Sequence, residues 1–482
     1  MTLRELLKDV KFHNNTDLSL LDRTVTGVTA DSRRAGPGVV FLAMKGLHRD
    51  GHDFAAGVAE KGGIPVVTDA VPVPAVYVDD TRELLGVLCA AFEGNPGDSM
   101  KLIGVTGTNA KTTVSTVIKE ILEHAGRKTG LVGTVQYQFG EVSLHADYTT
   151  PTPEELQALL HRMKNAGCQY VSMEVGSQAL DQRRTAGLMY EVGIFTNLTQ
   201  DHLDYHHTME NYFQAKLRLF DQSKTAILNL DDPTIRTVVG KLPCRTLTYS
   251  VKDDAADFTA KNIRTFSDRV EFELLHENII SRMVFPMPGM FSVSNALAAC
   301  AACLQLGLSV EQVTEGLAAA RGVRGRMEVL PTDTDFTVIC DYAHTPDALE
   351  NLLSTVKGFA KGRVITVFGA SGNRDTTKRA PMGQAVSRYT DVAVITSDNP
   401  RDDDPVEIIE QVKQGMDPKI PTWCFPERTD AIRFAVEHAE KDDVVVLAGK
   451  GHEDYQMMHG CTVYFSEREI VMEAVQKRKE RG

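Results

Sequence analysis

The run Lys101-Leu-Ile-Gly-Val-Thr-Gly-Thr-Asn-Ala-Lys-Thr-Thr113 joins an apolar stretch of buried-strand type, a glycine-rich turn and a Lys-Thr-Thr step that opens a helix. Backbone N–H groups in such a turn converge on phosphate oxygens. The helix N-terminus adds partial positive charge, and a lysine and a threonine hydroxyl serve the phosphates and Mg2+. Gly107, Thr108, Asn109, Ala110, Lys111, Thr112 and Thr113 are therefore expected to seat a nucleoside triphosphate, ATP first. The spacing is not the common G-x-x-x-x-G-K-[ST]: Val105 stands where the first glycine would fall, and Ala110 precedes Lys111.

Polar residues directly after apolar runs are the next candidates, because open parallel sheets bind ligands beyond the carboxyl ends of their strands. Glu174 lies in Ser-Met-Glu-Val-Gly-Ser-Gln, Asn197 and His202 follow Phe195-Thr196, and Lys216 lies on the helical stretch Tyr212 to Phe220. Glu and His suit a divalent ion, and Mg2+ bridging phosphates takes only one or two protein ligands besides water. Metal binding is expected at Glu174 and His202. His206 and His207 are read as ordinary loop histidines.

These residues need a scaffold, and the chain is patterned to supply one. From Lys101 onward apolar runs (Leu102 to Val105, Tyr170 to Val175, Glu191 to Thr196, Thr225 to Asn229) alternate with helical patterns, which predicts βαβ units on a mostly parallel sheet. A strand-rich stretch, Thr246 to Phe285, reads as an antiparallel insertion or flanking sheet. A second α/β alternation runs through Phe336 to Asp341, Arg363 to Gly369, Val392 to Thr396 and Val444 to Ala448. At 482 residues two or three domains are expected. Turn-rich Glu93 to Asp98 and Gly/Arg-rich Arg321 to Glu328 divide the chain into residues 1–98, 99–325 and 326–482. The predicted fold class is α/β: a small N-terminal α/β domain, a central mostly parallel sheet of P-loop type, and a C-terminal Rossmann-like domain.

Composition narrows the partners. Apolar residues make up 42% and charged residues 24%, as in a water-soluble globular protein, and a net charge of -13 argues against a general nucleic-acid binder. Anionic ligands must then meet locally focused positive charge. Eight dispersed cysteines fit free thiols in a reducing cytoplasm, and Cys300 and Cys303, in an Ala-rich helical segment, are read as core. The N-terminus lacks the apolar core of a secretory signal, and the uncharged run Met283 to Val310 is broken by Pro286, Pro288 and Gly289, so no membrane insertion is expected. A monomer working on small molecules is the expectation.

Several segments together resemble the Mur ligases: Thr106 to Thr113, Met173-Glu-Val-Gly-Ser-Gln-Ala-Leu180, Asn197-Leu-Thr-Gln-Asp-His-Leu-Asp204, Asp341-Tyr-Ala-His-Thr-Pro346 and Gly449-Lys-Gly-His-Glu453. The resemblance extends from Asp31-Ser-Arg33 to Gln456. It implies ATP-dependent amide synthesis in peptidoglycan precursor assembly: the free carboxylate of UDP-MurNAc-L-Ala-D-Glu is phosphorylated and an amine attacks the acyl phosphate. Such chemistry brings anions together, which Mg2+ and cationic side chains must neutralise. By the same resemblance Lys216 is carbamylated and joins Thr112, Glu174 and His202 around Mg2+. Asn295, Arg326 and Asp341 face the nucleotide, with Lys111, Glu174, His202, Lys216 and Arg326 as the catalytic set. Ser32, Leu47, His48, Arg49, Thr149, Thr150, Gln182 and Arg184 hold the UDP-sugar.

The loop Ser397-Asp-Asn-Pro-Arg-Asp402 is read as the amino-acid selector. Asn-Pro fixes a turn that presents the planar fork of Arg401 to a carboxylate. Asp398, Asn399, Pro400 and Arg401 have the form seen in diaminopimelate-adding members, and Arg374, Gly449 and Glu453 match their partner positions. Meso-diaminopimelate carries a distal carboxylate that lysine lacks, and Glu453 suits its distal ammonium. Four positions depart from the family pattern: Ala110, Gly176 and Ser292 replace glycine, serine and asparagine, and Asn373 replaces aspartate. They leave room for a paralogue adding L-lysine or another amino acid, or for a weakened nucleotide-binding paralogue. An NTPase or kinase without ligation is the reading outside the family.

Overall fold

In the computed structural model, which describes residues 1–46, 49–266 and 269–481, the strands fall in chain order into three large sheets and a hairpin. The first sheet has four parallel strands, Gly27–Thr29, Val39–Leu42, Ile64–Val67 and Val76–Tyr77, in sequence order. The third has six, with Thr337–Asp341, Val444–Ala448, Val364–Phe368, Val392–Thr396 and Thr422–Phe425 parallel and side by side, and Glu328–Leu330 antiparallel at one edge. Val364–Phe368 and Val444–Ala448 are buried at every position, Thr366 included, as strands between two helical layers must be.

The central sheet has eleven strands, and their order explains the site. Lys101–Thr106 lies between Tyr170–Glu174 on one side and Tyr190–Phe195 on the other, all parallel. After Thr106 the chain enters helix Lys111–His124 and returns as Thr129–Val132 on the far side of Tyr170–Glu174. The crevice at the carboxyl end of Lys101–Thr106 is therefore a switch point, flanked by Glu174 and by Thr196-Asn197. Helix Met290–Gln305 packs on helix Lys111–His124 through a small-residue face in which Ala296, Ala299, Cys300 and Cys303 are wholly buried. Both thiols are free and burial pushes them up, Cys300 to about 12, as expected of core cysteines. Val114, Ile118 and Ile121 complete this layer, each burial stabilising by roughly 1.5–3 kcal/mol. Among the described residues no helix is long and apolar enough to cross a membrane.

The Thr246 to Phe285 region differs from expectation. Arg245–Ser250 and Phe258–Thr265 pair in parallel and extend the central sheet, and only Val270–His276 and Ile279–Phe285 run antiparallel at its edge. Two hairpins were not foreseen, Gln136–Phe139 with Val142–His145 and Tyr455–Met458 with Cys461–Tyr464. Their short strands carry no apolar run to announce them.

Candidate active site

The phosphate loop is held from both neighbouring strands. Gly107 has φ 146°, and a Cβ there would lie 1.9 Å from Thr196 Oγ1, so only glycine lets the two strand ends approach. Thr108 N donates to Asn197 O at 2.9 Å and Asn109 N to Asn197 Oδ1 at 2.8 Å. Ala110 adopts φ 71°, ψ -5° immediately before the helix, a left-handed conformation that its methyl makes costly. Lys111 Nζ folds back to donate to the carbonyls of Gly107 and Thr108, at 3.0 and 2.8 Å.

Glu174 is 1% exposed at the end of its strand and receives Thr112 Oγ1 (2.9 Å), Thr134 N (2.7 Å) and Thr134 Oγ1 (3.0 Å). A Cβ on Gly133 would lie 2.4 Å from Glu174 Oε1, so that glycine lets the carboxylate rest against the backbone. Arg326 arrives from the segment entering the third sheet: its Nη2 donates to Thr112 Oγ1 at 3.3 Å, its guanidinium stacks 4.7 Å from the Tyr342 ring, and its buried Nε has no partner. Asp341 anchors that segment, accepting from Met327 N and Ala343 N at 2.7 Å each.

Lys216 is 1% exposed, donates to Gly107 O at 2.7 Å and lies 4.5 Å from the Tyr212 ring centroid. Burial, and then the nearby Lys111 cation, hold its amine well below the usual lysine range. His202 has φ 54°, and burial lowers its imidazole to about 4, leaving a neutral ring. Asp201, beside it at 3.5 Å, feels burial pushing upward, but His202, Lys378 and His344 hold its carboxyl well below the usual range.

These groups line one cleft of about 1010 Å³ that also contains Asn295, Asp341, Thr149, Thr150, Arg184, Arg374, Asn399, Arg401 and Glu453. Its wall carries seven Lys/Arg and seven Asp/Glu, so the focused positive charge expected from the acidic composition is confined to subsites. Glu174 and His202 form no three-carboxylate-or-imidazole cluster; among the described residues only Asp50, His52 and Asp69 do. In that cluster His52 Nε2 already accepts from Thr68 N and Asp69 N, at 3.1 and 3.3 Å. A sparse set of oxygen and imidazole donors beside a phosphate loop fits Mg2+, which keeps most of its waters.

At the third sheet, Asn399 Nδ2 donates to Glu453 Oε2 at 2.9 Å, and Tyr342 OH to Glu453 Oε1 at 3.4 Å. Arg401 has φ 54°; Met457 O accepts from its N–H at 2.9 Å, and its buried Nε has no partner. Asp398, Pro400 and Gly449 do not line the cleft, and Asp398 Oδ1 is buried without a hydrogen-bond partner. Arg374 lines the cleft but pairs with Asp204 of the central region at 3.5 Å.

The sugar-site expectations divide. Thr150 Oγ1 donates to Glu174 O at 3.0 Å and accepts from Gly176 N at 3.1 Å, while Arg184 Nη1 donates to Thr150 O at 3.0 Å. Gln182 lies outside the wall and orients Arg184, whose Nε it accepts at 2.9 Å. Ser32 and Arg49 also lie outside it, and Leu47 and His48 fall outside the described residues. The four departures are accommodated differently. A Cβ on Gly176 would meet only Thr150 Oγ1, at 3.8 Å, and Ser292 is buried with its hydroxyl donating to Pro288 O at 2.6 Å. Asn373 Nδ2 donates to Asp402 Oδ2 and its N–H to Asp403 Oδ2, both at 3.1 Å, where an aspartate would face two carboxylates.

Residues not singled out from sequence include Thr134, Asp201, Asp347, His344, Lys378 and Lys450. Asp347 accepts from Asn109 Nδ2 at 3.0 Å, joining the phosphate loop to helix Pro346–Phe359. Lys450 stood inside a recognised motif, and that was its only sequence signal.

Comparison with known proteins agrees with this arrangement. Residues 24–93 match the Mur ligase family catalytic domain, residues 105–303 the Mur ligase middle domain, and residues 325–451 the Mur ligase glutamate ligase domain. A Clostridium acetobutylicum protein named UDP-N-acetylmuramoyl-L-alanyl-D-glutamate--2,6-diaminopimelate ligase 1 is 42% identical, covering 99% of this chain and 100% of its own. A Geobacillus thermodenitrificans ligase of the same activity name is 42% identical over 94% of this chain and 96% of its own. A solved structure of a diaminopimelate ligase of that name superposes with a TM-score of 0.73 at 30% identity, covering 99% of each chain. The chain belongs to the Mur ligase family.

Proposed function

We propose that this chain is an ATP-dependent ligase that joins meso-2,6-diaminopimelate to UDP-N-acetylmuramoyl-L-alanyl-D-glutamate through an acyl phosphate, in peptidoglycan precursor synthesis. The names of its relatives support that substrate pair. The observation that carries the reading is the single cleft with the phosphate loop at one end and Arg401 with Glu453 at the other. An enzyme that only hydrolysed ATP has no use for a zwitterion pocket.

In the first step a substrate carboxylate oxygen attacks the γ-phosphorus and ADP leaves. The chain's part is to bring the anions together: Lys111 and the loop N–H groups at the phosphates, and Arg326, whose Nη2 meets Thr112 while its Nε is left without a partner. Mg2+, when bound by Glu174, His202, Thr112 and a modified Lys216, supplies further charge neutralisation. In the second step the amine attacks the acyl carbon and phosphate departs. Arg401 faces the distal carboxylate, and Asn399 holds Glu453 toward the distal ammonium.

Carbamylation of Lys216 is part of the proposal. An uncharged amine adds CO2 and releases one proton to water, and burial beside the Lys111 cation favours the uncharged amine here. The product keeps one N–H, enough for the bond to Gly107 O, and gains anionic oxygens. We assign residues 1–98 to the UDP-sugar, 99–325 to ATP and 326–482 to the amino acid. Eight dispersed free cysteines favour the cytoplasm as the place of action.

The left-handed Ala110 favours one second reading, a family member with weakened nucleotide binding. A single assay separates the two: phosphate release from ATP and the UDP-dipeptide with meso-diaminopimelate, L-lysine or no amino acid. Diaminopimelate-dependent release is expected; its absence would sink the first reading.

A further inference from the structure

Lys450 does not line the cleft, and its side chain is wholly buried. It nevertheless touches the Asp398-Asn399 loop, Glu453 and the hairpin. Its Nζ donates to Asn399 Oδ1 at 3.0 Å, in the loop after Val392–Thr396, and to Tyr455 O at 2.8 Å, in the hairpin. It reaches Glu453 Oε2 at 3.4 Å and Asp398 Oδ1 at 3.7 Å.

The geometry fixes which way Asn399 faces. Its Oδ1 receives both Lys450 Nζ and Met457 N, each at 3.0 Å, so its amide hydrogens turn toward Glu453, which Nδ2 meets at 2.9 Å. Ammonium, amide and carboxylate thus close a ring. Two buried carboxylates, Asp398 and Glu453, face this one lysine, and an incoming ammonium would find a carboxylate acceptor there. Burial and Asp398 push the Glu453 carboxyl upward, and Lys450 opposes them.

We propose that Lys450 is a positioning residue for amino-acid selection, orienting the Asn399 amide and the Glu453 carboxylate toward the distal ammonium without touching it. This rests on the ligase reading, and its test is built to fail separately. Steady-state kinetics would compare the native chain, Lys450→Met and Lys450→Gln with ATP, the UDP-dipeptide and a panel including meso-diaminopimelate and L-lysine. Lys450→Met is expected to raise the amino-acid KM by about tenfold or more, since charged hydrogen bonds are lost. ATP KM, and kcat at saturating amino acid, should stay within about twofold, as for a residue that acts only on substrate binding. Lys450→Gln, which keeps a donor for Asn399, should fall between.

An unchanged amino-acid KM, a fall in kcat alone, or an equal rise in ATP KM would overturn the positioning role. So would failure of both variants to fold, which would make Lys450 a purely structural ion. A native chain that prefers another amino acid removes diaminopimelate as substrate but leaves Lys450 to be judged on that acid. A native chain inactive with every amino acid removes both readings.

Discussion

Lys216 Nζ donates to the Gly107 carbonyl over 2.7 Å, tying the helix Met209–Leu217 to the first residue of the phosphate loop. On the proposed reading this buried amine carries a carbamate. Lys216→Met, nearly equal in volume, is expected to lower kcat by at least about 10- to 100-fold, as loss of a metal-orienting group does. A carbonyl signal from 13C-labelled CO2 should appear in the native protein and vanish in the variant; a signal that persists would place the carbamate elsewhere.

Ala110 is strained at the head of helix Lys111–His124, in the proposed nucleotide seat. Left-handed φ costs a non-glycine residue roughly 1–2 kcal/mol. Glycine at this position gives back about 0.4–1 kcal/mol through the freer unfolded chain. Ala110→Gly is thus expected to change melting temperature little. ATP affinity carries no unfolded-state term, so KM for ATP should fall several-fold. An unchanged KM would show the loop to be equally well formed with alanine.

Arg401 holds a guanidinium with a buried, unpartnered Nε at the proposed amino-acid end of the cleft. Arg401→Ala should raise the diaminopimelate KM roughly tenfold to a hundredfold, the value of charge-assisted hydrogen bonds, with the ATP KM unaffected. Equal effects on both would count against selection by this side chain.

Acid should unfold the protein partly through His452. Burial, then the charges of Arg326, Arg324 and Arg468, lower its imidazole from 6.5 to about 3. The unfolded chain takes up a proton near pH 6.5 that the native chain refuses until about pH 3, so stability is lost as pH falls through that interval. Glu120 pulls the other way: burial raises its carboxyl from 4.5 to about 7, so its contribution is lost as pH rises between those values. Only a variant isolates the histidine. The melting temperature of His452→Gln should decline less between pH 7 and pH 4 than that of the native chain, and parallel curves would refute the assignment.

Much of the fold was written in apolar runs. Val392–Thr396 and Val444–Ala448 coincide with expectation because buried parallel strands cannot alternate polarity. The edge strands and hairpins escaped because Gln136–Phe139 and Tyr455–Met458 are short and half-polar. Glu174, His202, Lys216, Arg326 and Arg401 do share one cleft. What could not be read were residues whose work is to hold others. Thr134 and Lys450 are chosen by three-dimensional contact: Thr134 reads as a turn threonine, and the motif around Lys450 does not say what its side chain holds.

The Asn109–Asp347 contact has a mechanical meaning. It pins the loop after Lys101–Thr106 to the first turn of helix Pro346–Phe359, which packs on the third sheet. Burial also holds the Asp347 carboxyl above its usual range, so losing this donor is costly to it. The position of that helix and the freedom of the Asn109 side chain are thereby tied: while the bond holds, neither moves without the other.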